Sequence, residues 1–140
     1  MRRGGPLKRT AMLRRGGPLR QRRKVRPGAP PPEFSEKYGK DTVHARSDGV
    51  CERCGLVRAE EWHHRLNRSQ GGTWDPANGL HLCRSCHRVV TGSGQDLFDN
   101  GWRIRRDDPR PASKIPVLHH AWGFILLDSE GGIHRRSELS

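Results

Sequence analysis

Two CxxC pairs, Cys51-x-x-Cys54 and Cys83-x-x-Cys86, constrain this chain more than any other feature. Each CxxC presents two thiolates to one ion from a tight turn, and two such knuckles complete a tetrahedron. The second pair begins 29 residues after Cys54. The spacing predicts a structural Zn²⁺ held by Cys51, Cys54, Cys83 and Cys86. Two redox dithiols are the alternative, but no βαβ pattern surrounds either CxxC. A closed four-cysteine site has no open position, so its zinc holds the fold and does no chemistry. In zinc fingers the metal contributes on the order of 10 kcal/mol of folding free energy. This chain needs such a staple. Only 31% of its 140 residues are hydrophobic, and 17 glycines and 10 prolines leave little material for a large core.

The net charge of +12 is unevenly placed. Residues 1–27 hold 11 Lys/Arg and no acid, whereas residues 28–140 hold 16 Lys/Arg against 15 Asp/Glu. A basic arm on a nearly neutral body implies an anionic polymer as partner, nucleic acid first. A membrane surface is a poorer match, because the arm lacks the apolar face of an interfacial helix. No stretch approaches transmembrane length. The N-terminus has no continuous apolar run, so it does not read as a secretory signal. Paired cysteines at metal-binding spacing point to a reducing, cytoplasmic setting.

Residues 1–32 are expected to be a disordered arm. Arg2-Arg3-Gly4-Gly5-Pro6-Leu7-Lys8 recurs as Arg14-Arg15-Gly16-Gly17-Pro18-Leu19-Arg20. Such composition cannot bury enough apolar area to offset chain entropy. Pro27 to Pro32 is a stiff spacer. Residues 33–97 form the expected central domain. Ser35 caps a helix running to about Ser47, and Asp48-Gly49 turns the chain into the first knuckle. Glu61 to Leu66 reads as a short strand, Ser69 to Gly72 as a loop, Asn78-Gly79 as a turn and Leu80 to Leu82 as a second strand. A helix then starts at Cys83 and runs through Val90. Residues 98–140 are expected to be a β-rich extension, with strands over Gly101–Arg106, Ile115–Leu118 and Trp122–Leu127. The end, from Arg135, is polar and expected to fray.

His63 and His64 lie on the strand between the knuckles, and His87 follows the last cysteine. Neighbours on a strand point to opposite faces, so His63 and His64 should play different roles. The string Cys51-x-x-Cys54-Gly55, Trp62-His63-His64, Gly71-Gly72, Asn78-Gly79-Leu80-x-Leu82-Cys83-x-x-Cys86-His87 resembles the HNH endonuclease family, and within it small phage-encoded members with four cysteines. The resemblance covers residues 44–93. It implies a small α+β protein with a ββα-metal (His-Me finger) core. By motif position it implies that His63 and His87 hold a catalytic divalent metal, Mg²⁺, Mn²⁺ or another transition ion. It makes His64 the general base and Asn78 the residue that fixes the hairpin. It implies hydrolysis of DNA phosphodiester bonds to 5′-phosphate and 3′-hydroxyl ends. The setting would be phage packaging, recombination or mobile-element spread, with a terminase or another phage protein as a candidate partner. Two positions depart from the family pattern. Asn67 stands where a proline is common, and Thr91 where a further histidine is sometimes found.

The residue types suit that chemistry. Phosphodiester hydrolysis needs an activated water and stabilisation of charge on the phosphate and the leaving oxygen. A neutral histidine is a suitable base near neutrality. Arg65, Arg68, Arg84 and Arg88 flank the site and are candidates for gripping the nucleic-acid backbone; each is equally a solvated surface arginine. Arg46 has a helix-end or phosphate role. Trp62 and Trp74 read as packing residues. His81 alternates with Leu80 and Leu82 and is expected to face solvent, and His119-His120 reads as surface. A non-catalytic, zinc-stabilised nucleic-acid-binding module is the main alternative. The arm and zinc site suit both readings, and the His63, His64, Asn78 and His87 set favours the enzyme. An RNA- or junction-directed nuclease is a third.

Overall fold

The computed structural model describes residues 34–135, all within one compact unit. The basic arm, its repeat and the segment beyond Arg135 lie outside the described residues. The chain opens with helix α1 (Glu36–Ser47). Ser35 caps it by accepting a hydrogen bond from the Tyr38 amide, and Glu36 sits favourably in the first turn. Asp48, in the left-handed region at φ 51°, ends the helix, and Gly49 follows at φ 76°. Only Gly39 and Val43 of α1 are buried, so no broad apolar face holds it down. Arg46 does much of that instead. It makes a two-pronged ion pair with Glu52 at 2.7 and 2.9 Å and donates to the Pro76 and Gly79 carbonyls. Arg46 is thus a buried tie between α1 and the hairpin, with no surface left for a phosphate.

Strand β1 (Glu61–His64) pairs antiparallel with β2 (Gly79–Leu82), placing Trp62 opposite His81 and His63 opposite Leu80. Cross-strand partners share a face. One face therefore carries Trp62, His64 and His81, and α1 packs on it. The other carries Glu61, His63 and Leu80, and is covered by helix α2 (Arg84–Val90). This layering corrects the expectation for His81. Its face is covered by α1, so His81 is 1% exposed, with Nδ1 2.6 Å from the Ser47 hydroxyl and its ring against His44.

The β1–β2 connection is long and held by side chains. Asn78 accepts from the Leu66 amide at 2.8 Å and donates to the Leu66 and Thr73 carbonyls at 3.2 Å. Arg65 is entirely buried and donates to the carbonyls of Gly101, Ala77, Ala112, Ile115 and Pro116. Burial pushes it down to about 9, so it remains cationic at neutrality. The expectation that Arg65 contacts nucleic acid is therefore corrected: its donors are spent on the protein's own backbone.

After α2 come a short helix α3 (Gln95–Asp99) and a three-stranded antiparallel sheet, β3 (Val117–His119), β4 (Gly123–Leu127) and β5 (Ile133–Arg135), in the order β3-β4-β5. Gly101–Arg106 alternates as expected, with Trp102 and Ile104 buried, but it is no strand. Its backbone instead closes on the hairpin through the Ile104 amide and the Arg65 carbonyl, 2.9 Å apart. Leu80, Leu82, Cys86 and Val90 share one core with Leu97, Trp102, Val117, Ile125 and Leu127. The segments before and after residue 97 thus fold around the same interior.

Candidate functional site

The four cysteine sulfurs lie within 4.8 Å of one another. Cys51, Cys83 and Cys86 are buried, Cys54 is partly exposed, and none is in a disulfide. Gly55 at φ 65° closes the first knuckle. A Cβ there would meet the His120 ring at 2.1 Å, so both backbone and space demand glycine. The second knuckle is the start of α2, where the Cys83 sulfur accepts from the Cys86 amide at 3.4 Å. Arg53 donates to the Cys86 sulfur at 3.3 Å, with its guanidinium over the Trp102 ring. Burial pushes the Cys86 thiol up to about 12. At Cys51 burial pushes the same way, but hydrogen bonds from the backbone at Cys54, Cys83 and Arg53 outweigh it and bring the thiol to about 7. A soft set of four sulfurs of this kind suits Zn²⁺, and the cluster can hold a structural zinc.

On the α2 side of the hairpin, His63 is 3% exposed and its Nε2 lies 2.8 Å from the Trp102 carbonyl. The His87 ring approaches from α2, with centroids 5.4 Å apart. His87 Nδ1 contacts the carboxylate of Glu61, which shares a face with His63. Burial lowers His63 to about 4, opposed by the Trp102 carbonyl and aided by His87, His64 and Arg103. It is therefore a neutral imidazole at physiological pH. Among the described residues the four cysteines are the only group of three or more His, Cys, Asp or Glu side chains gathered for metal binding. The histidine site is thus a pair with an adjoining carboxylate.

His64 lies on the opposite face. Its ring is held edge-on by Trp62 and Trp74, each 4.5 Å away between centroids. Its Nε2 is buried without a partner. Burial and then the Arg68 charge lower it to about 4, with Glu36 opposing. Trp62 is anchored through a 3.2 Å bond to the Gly39 carbonyl and presses on Gly79, where a Cβ would come within 2.0 Å of the indole. The structure thus brings His63 and His87 together and sets His64 apart from them. Arg68 sits by the His64 side, over the Trp74 ring. Arg84, 3.8 Å from Glu60, and Arg88 are exposed on α2. His119 and His120 stack on each other, and the His120 amide bonds to Glu52.

Three groups at the histidine pair were missed from the sequence: Glu61, the Trp102 carbonyl and Arg103. Glu61 was within reach, since a residue two before His63 on a strand shares its face. The Trp102 contact is made by backbone and leaves no trace in residue type.

A β1–β2 hairpin followed by α2, with a cysteine pair at each end and histidines presented from strand and helix, defines a small domain built around a four-cysteine cluster that could hold a metal ion. Residues 51–92 match the HNH family model, described as HNH endonuclease. The match ends before α3 and the three-stranded sheet. No curated protein and no solved structure matches the chain. No helix among the described residues is long and apolar enough to cross a membrane.

Proposed function

We propose that the chain is a metal-dependent endonuclease that hydrolyses phosphodiester bonds of DNA. The meeting of His63 and His87, from β1 and α2, inside the HNH-matching segment carries this reading. His63 and His87 would hold one divalent ion, Mg²⁺, Mn²⁺ or another transition ion, and imidazole ligands lean toward the last. The pair suits such an ion: each ring has one nitrogen engaged by an acceptor and a second remaining. When bound, the ion supplies charge stabilisation to the phosphate and the leaving 3′ oxygen. His64 is the general base that takes the proton of the attacking water. The negative charge of a phosphate beside it favours the protonated ring and so raises its basicity from about 4 toward the working range. Asn78 keeps the hairpin loop, and with it His64, in place. Arg68, Arg84 and Arg88 are exposed and grip the DNA backbone.

The likeness to small four-cysteine phage proteins leads us to infer a phage-encoded protein acting in the host cytoplasm in packaging, recombination or mobile-element spread. A terminase or another phage protein is the candidate partner. Free cysteines at a metal-binding spacing suit that reducing setting.

One observation favours a non-catalytic, zinc-stabilised nucleic-acid-binding module instead: His64 is wedged between two indoles and is weakly basic. Plasmid cleavage with Mg²⁺ or Mn²⁺ separates the two. The expected result is metal-dependent nicking that drops by roughly 10²–10⁴-fold in His64→Ala. Nicking that survives this substitution removes His64 as the base. Binding without cleavage by the wild type leaves the binding module.

A further inference from the structure

We infer that Glu61 is a positioning residue of the histidine pair: its carboxylate fixes the tautomer and orientation of His87, as the Trp102 carbonyl does for His63. The inference rests on the reading of His63 and His87 as a metal-holding pair. It starts from hydrogen-bond chemistry. A carbonyl oxygen only accepts, so the proton shared with the Trp102 carbonyl sits on His63 Nε2. That leaves the lone pair on His63 Nδ1. The carboxylate oxygen of Glu61 likewise accepts from His87 Nδ1, which leaves the lone pair on His87 Nε2. Each ring is therefore tied at one nitrogen and free to donate electrons from the other. Metal-binding histidines commonly have this support, the second ring nitrogen giving its proton to a carboxylate or a backbone carbonyl.

The scaffold makes the Glu61–His87 contact a fixed one. Glu61 pairs with Leu82 in the β1–β2 register, and Leu82 directly precedes Cys83. His87 follows Cys86 on α2, and its amide bonds to the Cys83 carbonyl at 2.9 Å. Both partners are thus set by the four-cysteine cluster, one through the strand and one through the helix. The neighbouring carboxylate, Glu60, has its own cationic neighbour in Arg84 at 3.8 Å, so Glu61 is the acid on the histidine face. His87 is 30% exposed and Glu61 37%, while His63 is buried, so solvent reaches the site from the His87 side.

The experiment uses the full, zinc-loaded chain. Long-range imidazole ¹H–¹⁵N NMR reads the tautomers without any second metal, and titration with Mn²⁺ reads binding at the pair. Mn²⁺ is a hard ion and a poor competitor for the thiolates. In the wild type, His87 is expected to carry its proton on Nδ1, and Mn²⁺ should broaden the His63 and His87 signals. Glu61→Ala is expected to move the His87 proton to Nε2 and to weaken Mn²⁺ binding roughly 10- to 100-fold. Glu61→Gln keeps an acceptor oxygen at the same reach, so it should retain the tautomer and stay near wild-type affinity. An unchanged His87 tautomer in Glu61→Ala, with Mn²⁺ binding intact, overturns the positioning role alone. Glu61→Gln falling as far as Glu61→Ala also overturns it, because the carboxylate would then itself be a ligand. Mn²⁺ leaving both histidine signals sharp in the wild type would overturn the metal-pair reading, and this proposal with it.

Discussion

Arg65 shows how one side chain can hold distant segments together. Its guanidinium has five N–H donors in a rigid fork, and it meets carbonyls from residues 77, 101, 112, 115 and 116. The turn before β2 and the loop before β3 are therefore joined through one cation. Arg65→Met fills a similar volume but leaves those carbonyls unpaired in the interior. It should cost about 3–5 kcal/mol, the upper end for a single substitution. Urea unfolding with fluorescence detection checks this, and a loss under about 1 kcal/mol would mean water replaces the guanidinium. Asn78 works on a smaller scale. Asn78→Ala removes its bonds to Leu66 and Thr73 and should cost about 1–3 kcal/mol. A variant as stable as the wild type would show that the hairpin loop is held by its backbone alone.

Elements divide according to whether their cause is local. The knuckles, α1, the β1–β2 hairpin and α2 were legible because each is set by neighbours in sequence: Ser35 as a cap, CxxC spacing, and glycines where φ is positive. The region Gly101–Arg106 misled for a physical reason. Its inward Trp102 and Ile104 produce a strand-like alternation, but a strand also needs a partner with free hydrogen bonds, and Arg65 and Leu97 take those positions. Helix α3 is five residues long, too short to give a periodic signal. His81 looked exposed because a single face was assumed to be covered, whereas α1 and α2 cover both. The candidate site was half legible. The motif selected His63, His64, Asn78 and His87, while Glu61 and the Trp102 carbonyl emerge only when β1, α2 and the later chain are placed together. The same locality shapes what zinc removal does. Both knuckles close only around the four sulfurs, and α2 starts from the second. A strong chelator should abolish most far-UV circular dichroism, since zinc in such sites contributes on the order of 10 kcal/mol. Retention of the native spectrum in a zinc-free sample would mean the core alone holds the fold.

For the whole molecule, the shared interior and the uneven charge make opposite demands on the two ends. At the C-terminal side, Trp102, Val117, Ile125 and Leu127 belong to the same core as Leu80, Leu82 and Cys86. A chain ending at residue 97 should therefore fail to fold even with zinc, as read by loss of the cooperative unfolding transition. Folding of that piece would make the later segments a separable domain. At the other end, the first 27 residues carry 11 Lys/Arg and no acid, while the rest of the chain is nearly neutral. Affinity gained by neutralising phosphates falls with salt in proportion to the number neutralised, with a log–log slope of about −0.9 per phosphate on duplex DNA. Removing residues 1–32 should thus lower DNA affinity at low salt and flatten its salt dependence. The unfolding midpoint should stay unchanged, because Arg65, Asn78 and the cysteines all lie beyond the cut. Binding measured by fluorescence anisotropy across a salt series is the check. An unchanged slope after the deletion would place the phosphate contacts on Arg68, Arg84, Arg88 and their neighbours, and would leave the arm's charge without a part in binding.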